Sequence, residues 1–168
     1  MTRRPKVVVT RMIPAVGLAQ LREHCDVWVN PDDRPLTRDE LLARCADADG
    51  VLGLLTDKVD AGFFDAAPRL RGYANYAVGF DNIDVPAATA RGILVGNTPG
   101  VVTETTADLT FAILMAAARR LVEGVDYIRA GRWETFEPMT LLGRDVYGAT
   151  LGIVGMGRLH SAQPDATE

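Results

Sequence analysis

Leu151-Gly-Ile-Val-Gly155-Met-Gly157-Arg158-Leu159 has the residue types of a dinucleotide-phosphate site. Leu151 to Val154 is a short apolar run of the kind that lies buried in a parallel sheet, and Gly155 permits a tight turn from strand into helix. Gly157 lets a pyrophosphate approach the backbone, where free N–H groups and the helix dipole attract the anion. Arg158 is placed to approach a phosphate, or is an ordinary surface arginine. The pattern then breaks. His160 stands at the third glycine position and Pro164 limits any helix. The acidic residue expected about 20 positions on has no chain to occupy. Only eleven residues follow Gly157. Two readings stay open at this point, a nucleotide loop and a plain strand-end turn.

Neither histidine offers a catalytic setting: His24 falls near the end of the first helix and His160 in the broken loop. Cys25 and Cys45 lack metal-ligand spacing, so reduced, packed thiols and no metal site are expected. With 48% apolar and 24% charged residues in 168, the chain can fill one domain, or one domain and a piece of another. The net charge of -4 is spread along it, with no basic footprint for nucleic acid or membrane. Leu109 to Ala118 is too short to cross a bilayer. Arg3, Arg4 and Lys6 precede only Val7-Val8-Val9 before Thr10, which is not a secretion signal. A cytoplasmic protein is expected.

The elements that would position any site alternate between strand and helix. Lys6 to Thr10, Val27 to Val29, Gly50 to Leu55, Leu70 to Ala77 and Ile93 to Val95 read as strands. Pro14 to His24, a helix capped by the Thr37-Arg-Asp-Glu40 box, Ala61 to Ala66, and Pro86 to Arg91 read as helices. This rhythm predicts a parallel sheet with helices on both faces. Asn97-Thr-Pro-Gly100 marks a boundary. From Thr103 one long helix is expected, capped by Thr105-x-x-Asp108, ending at Arg119-Arg120 and apolar on nearly every side, so that it expects cover from a second domain or subunit. Gly131 to Leu142 is irregular and aromatic.

Asn75-Tyr-Ala-Val-Gly-Phe-Asp-Asn-Ile-Asp84, Arg91-Gly-Ile, Asn97-Thr-Pro-Gly100, Thr105-Thr-Ala-Asp-Leu109 and Tyr147-Gly-x-Thr-Leu-Gly-Ile-Val-Gly-Met-Gly157 resemble, in order and spacing, the motifs of the D-2-hydroxy-acid dehydrogenase family, most closely its glyoxylate and hydroxypyruvate reductases. The resemblance runs from about Lys6 to Leu159. It implies a flavodoxin-like substrate domain over residues 1–99, completed in the family by the chain's far end. Residues 100–168 would then be the opening helix, arm and first strand of an incomplete Rossmann domain. It further implies that Val78 and Gly79 hold the substrate carboxylate through backbone N–H groups, chemistry that a glycine beside a strand end can supply, although Gly79 could equally just make the turn. Thr106 matches a residue near the nicotinamide, or caps the helix; Gly155, Gly157, Arg158 and Leu159 match the cofactor loop. Phe136 falls where related reductases place a tryptophan that reaches the partner's active site, or is an interface aromatic.

The family's reaction moves a hydride from NAD(P)H to a 2-keto acid and needs a cation, a proton donor and a tuning carboxylate. The family supplies these as Arg, His and Glu beyond the position where this sequence ends. The expectation is therefore a truncated NAD- or NADP-dependent glyoxylate or hydroxypyruvate reductase, dimeric through residues 103–142. On its own it would be catalytically inactive and a poor cofactor binder. The alternative is a non-enzymatic binding or regulatory module that dimerises or pairs with a full-length paralogue. A signalling receiver built on Asp57 is disfavoured, because Thr10-Arg11 replaces the acidic cluster after the first strand.

Overall fold

A computed structural model describes residues 3–155 and 157–158. They fall into two compact units, the first ending at Gly100 and the second beginning at Val101. The first unit carries five short strands: β1 (Lys6–Val9), β2 (Asp26–Val29), β3 (Gly50–Gly53), β4 (Gly72–Asn75) and β5 (Leu94–Gly96). All pairings are parallel and the order is β2-β1-β3-β4-β5, the flavodoxin-like arrangement whose switch point lies between β1 and β3. The connecting helices are α1 (Ala15–His24), α2 (Arg38–Cys45), α3 (Ala61–Ala66) and α4 (Val85–Ala90).

Local chemistry starts these helices where the sequence places them. The Thr37 hydroxyl accepts from Glu40 N–H while the Glu40 carboxylate accepts from Thr37 N–H, the reciprocal box that satisfies two orphan donors. Asp60 caps α3 and Asp84 caps α4, each accepting a backbone N–H three residues on. Arg34 grips Glu40 with two bonds of 2.7 and 2.8 Å, and that pairing, ahead of the bond from Thr37, lowers the carboxylate to about 2.

Alternation along the strands sends Val8, Val51 and Tyr73 to one face, where Leu41 and Cys45 of α2, Phe63 and Phe64 of α3, and Ala88 of α4 bury them. Phe63 meets Phe64 and Tyr73 edge to face, with centroids 5.6 and 6.0 Å apart. The opposite face is covered by α1 only where Leu18 meets Val7 and Val9. Over β3 to β5 it stays open, with Leu94 78% exposed. Within the first unit, helical cover is thus complete on one side and partial on the other, because α1 is that unit's single helix on the second side.

The second unit departs from expectation in three places. The long helix α5 (Thr103–Ala118) ends at Arg119-Arg120 as expected, but a second helix that was not expected, α6 (Leu121–Arg129), follows after Arg120 takes a left-handed φ of 53°. Thr105 does not cap: α5 begins at Thr103, and the Thr105 hydroxyl donates back to the Val102 carbonyl. No strand forms at Leu151 to Val154, which are exposed. A strand exists only by pairing, and no described segment lies beside this one to pair with it. Gly143 passes so close to the end of α5 that an added Cβ would sit 2.5 Å from the Ala118 carbonyl oxygen, and Arg144 N–H donates to that same oxygen.

Gly53 is the tightest position in the first unit. A Cβ there would lie 2.6 Å from the Tyr73 ring carbon Cζ and 2.7 Å from Asp57 Oδ2, with the Tyr73 hydroxyl nearer still. Gly53→Ala is predicted to cost about 1–3 kcal/mol, read as a lower urea midpoint, and adding Tyr73→Phe should recover part of it. An unchanged midpoint for the single variant would contradict the packing.

Burial pushes the Cys45 thiol up to about 12, with the Asp57 charge adding to the shift and Lys6 opposing it. Burial first, and Asp57 second, also raise the Tyr73 phenol. Above a thiol's ordinary value of about 8.5 the unfolded chain loses protons that the folded chain keeps, so stability is full below that pH and falls as pH climbs. Urea melts between pH 8 and 11 should show this decline, and Cys45→Ala should flatten its lower part; an equally steep decline in the variant would exclude the thiol as its source.

Candidate functional site

In a parallel sheet every strand ends on the same edge, and loops from β1, β3, β4 and β5 meet there. Polar groups that chain connectivity leaves unpaired on that edge must find partners if buried. Here asparagine side chains supply them. The sequence contains four asparagines, Asn30, Asn75, Asn82 and Asn97, and each donates its amide to backbone carbonyls on this edge. Asn30 donates to Thr10 and Arg34, both at 3.0 Å. Asn82 donates to Leu54 at 3.2 Å and Asp57 at 3.0 Å. Asn75, 1% exposed, donates to Gly79 at 2.8 Å, and Asn97 donates to Val78 at 2.8 Å.

Beneath these loops lies Asp57, 2% exposed. Its Oδ2 accepts from the Thr10 hydroxyl at 2.6 Å, from Leu54 N–H at 2.9 Å and from the Tyr73 hydroxyl at 3.4 Å. No arginine or lysine pairs with it among the described residues, so hydrogen bonds alone compensate its burial. This arrangement ties β1, β3 and β4 together just behind the loop of residues 76–82.

The orientation of that loop follows from its carbonyls. The described chain has no cis peptide bonds, and in a trans peptide C=O and N–H point to opposite sides. The exposed Asn97 side chain holds the Val78 carbonyl, so the Gly79 N–H of the same peptide faces away from Asn97. Asn75 draws the Gly79 carbonyl inward, so the Phe80 N–H faces away. Neither N–H donates to an acceptor among the described residues. Two successive donors therefore stand free, rimmed by the exposed side chains of Leu55, Tyr76, Val78 and Phe80. Gly79 does not have a positive φ, so the turn does not require glycine. An added Cβ would instead crowd Asp81 Oδ1 at 3.1 Å and touch Leu55 Cδ2 at 3.7 Å. Such a pair of N–H groups beside apolar side chains can hold a small carboxylate. The nearby Asp81 carboxylate works against the anion, so this half-site is a weak one.

The other residues singled out in the sequence lie in the second unit. Thr106 sits inside the first turns of α5, its N–H bonded to Val102 and its carbonyl accepting from Thr110, which rules out the capping role. Phe136 is 84% exposed beside Tyr127, Ile128 and Trp133 in an apolar groove along α6. Gly155 has φ +102°, and added Cβ atoms at Gly155 or Gly157 would meet nothing. Arg158 is exposed, and Leu159 lies outside the described residues, as does His160. Exposed, unpaired residues without a strand behind them do not form a cradle for pyrophosphate, and the described residues do not fit a bound dinucleotide. His24 is exposed at the end of α1.

In the sequence no site role attaches to Phe80, Thr10 or the four asparagines, and Asp57 is offered only as a receiver aspartate. A signal was present for three of them: Asn30, Asn75 and Asn97 stand at or just after a strand, whereas Asn82 lies in the turn after β4.

Residues 7–160 match the family model for the D-isomer specific 2-hydroxyacid dehydrogenase catalytic domain. The chain belongs to that family. It is 55% identical over 160 residues to a glyoxylate reductase of Korarchaeum cryptofilum, covering 95% of this chain and 48% of that protein. It is 50% identical to a glyoxylate reductase of Thermococcus kodakarensis, covering 95% and 49%. Among solved structures, the TT0316 protein of Thermus thermophilus is 46% identical with a TM-score of 0.86, covering 94% of this chain and 50% of the other. The NADPH-dependent glyoxylate/hydroxypyruvate reductase of Sinorhizobium meliloti, in complex with NADP and malonate, is 33% identical with a TM-score of 0.72, covering 95% and 48%. The chain thus spans about half the length of the relatives it matches. No described helix is long and apolar enough to cross a membrane, and no described cluster of side chains suits a metal ion.

Asp57→Ala would strand the Thr10 hydroxyl and the Leu54 N–H without an acceptor. It is predicted to lower unfolding free energy by about 1–3 kcal/mol for each stranded group, measured in urea, with Asp57→Asn milder. Wild-type stability in the alanine variant would show that this network does not hold the edge together.

Proposed function

We propose that this chain is the substrate-carboxylate half of an NAD- or NADP-dependent oxidoreductase that reduces glyoxylate or hydroxypyruvate. The observation that carries this reading is the pair of outward N–H groups on the 78–80 loop, in a chain whose relatives include glyoxylate reductases. In this reading residues 1–99 form the substrate domain and residues 100–168 the start of the cofactor domain. The loop binds the carboxylate of the 2-keto acid. Thr106, Gly155, Gly157, Arg158 and Leu159 are assigned to the cofactor side of the complete enzyme, where NAD or NADP supplies the hydride.

A dimer through residues 103–142 belongs to the same reading. On α6, Leu121, Val125 and Ile128 fall at i, i+4 and i+7 and are each about half exposed, as are Leu109 and Ile113 on α5. Such a stripe expects cover, and Phe136 extends it. The same stripe supports the second reading, a non-enzymatic module that pairs with a full-length paralogue.

The 168-residue chain is predicted to bind glyoxylate, or oxalate as its unreactive analogue, with a dissociation constant on the order of millimolar. In an amide NMR titration the Gly79 and Phe80 signals should shift. With NADH or NADPH and glyoxylate the chain alone should show no turnover. Binding without any change at those amides would overturn the site. Turnover of about 1 per second or faster would overturn the inactivity. A shift in oligomeric state only on adding a full-length paralogue would favour the second reading.

A further inference from the structure

The hydrogen bonds around the loop link it to the buried carboxylate by one continuous route. Asp57 Oδ2 accepts from Leu54 N–H, which closes the turn after β3. The backbone carbonyls of Leu54 and Asp57, at the two ends of that turn, both accept from Asn82 Nδ2. Asn82 Oδ1 in turn accepts from Asn75 Nδ2 at 3.2 Å, and Asn75 Nδ2 also donates to the Gly79 carbonyl. The backbone reinforces the join: Val59 N–H donates to the Asn82 carbonyl and Asp84 N–H to the Val59 carbonyl, around a parallel bridge between Val59 and Ile83.

Asn75 is therefore oriented by Asn82, and Asn82 by a turn that Asp57 closes. The amide of Asn75 has two donors and one oxygen. Asn75 Nδ2 donates to the Gly79 carbonyl and to Asn82 Oδ1, while Asn75 Oδ1 accepts a longer bond, 3.5 Å, from Asn82 Nδ2, so the Asn82 amide, chiefly through its oxygen, selects the rotamer in which Asn75 Nδ2 faces the loop. Without that oxygen the Asn75 amide can turn over, present its own oxygen to the Gly79 carbonyl and release it. The Gly79–Phe80 peptide is then free to rotate, and the Phe80 N–H no longer points outward with its neighbour.

We infer that Asn82 is a positioning residue for anion binding: acting through Asn75, it holds the Gly79–Phe80 peptide in the orientation that presents two N–H groups to a carboxylate. This rests on the reading of the 78–80 loop as a carboxylate site. Asn82 itself need never touch the ligand.

The test compares the full chain with Asn82→Ala and Asn82→Asp. Oxalate is titrated by calorimetry, and the Gly79 and Phe80 amide signals are followed by NMR. Asn82→Ala is expected to weaken oxalate about tenfold, to move the ligand-free Phe80 amide signal, and to speed hydrogen exchange locally while the melting transition stays cooperative. Asn82→Asp keeps the oxygen that accepts from Asn75 but cannot donate to Leu54, Asp57 or Asn75 Oδ1. It should bind better than the alanine variant if the oxygen is what orients Asn75, and this comparison also decides the matter if the alanine variant fails to fold. Oxalate affinity within twofold of wild type in both variants, with the Phe80 signal unmoved, would overturn the inference and leave the carboxylate site intact. Absence of any Gly79 or Phe80 response in the wild-type chain would instead overturn the carboxylate reading itself.

Discussion

Buried carbonyls at the carboxyl edge of a parallel sheet are the constraint on which this molecule depends. A strand's last C=O groups leave the ladder there, and the chain must turn away over a surface that is already closed by helices below. The side-chain amide is well suited to that task, because it donates twice without carrying a charge into the interior. All four asparagines of the chain are committed to this edge. In satisfying carbonyls they also decide which way the peptides face. A stability requirement and a binding geometry thus share the same bonds: the loop offers its N–H groups because asparagine amides hold its carbonyls.

The buried Asp57 fits the same logic. A carboxylate inside a protein is costly unless its oxygens are well supplied with donors, and this one collects a hydroxyl from β1's end, a backbone N–H from its own turn and a phenol from β4. Gly53 leaves the space in which the Tyr73 hydroxyl and Asp57 meet. A change at any of these positions is felt at the others, and through Asn82 it reaches the loop.

Much of the fold was legible because it is written locally. β-branched runs gave the strands, and the Thr37–Glu40 box and the Asp60 and Asp84 caps started helices where the pattern placed them. The loop residues Val78 and Gly79 were legible through family resemblance, but not the facing of their peptides, which depends on Asn75 and Asn97 bonding across 4 and 19 residues. Phe80 went unnoticed because its contribution is a backbone N–H, which residue type does not reveal. The end of α5 at Arg119-Arg120 was legible from its charge, but the helix that follows, α6, was not, because it resumes directly after a left-handed arginine with no side-chain cap to announce it. Leu151 to Val154 shows the opposite error. Its sequence is strand-like, yet strand is a property of pairs, and no neighbour is present among the described residues to make one.

The central claim is that the 78–80 loop receives a carboxylate on two backbone N–H groups, and a crystal structure of the chain soaked in oxalate addresses it most directly. The account predicts density for one carboxylate with its oxygens within hydrogen-bonding distance, about 2.7–3.2 Å, of Gly79 N and Phe80 N, while the Val78 and Gly79 carbonyls remain on Asn97 and Asn75. Oxalate ordered elsewhere with this loop empty, or a loop whose carbonyls have turned outward, would contradict it.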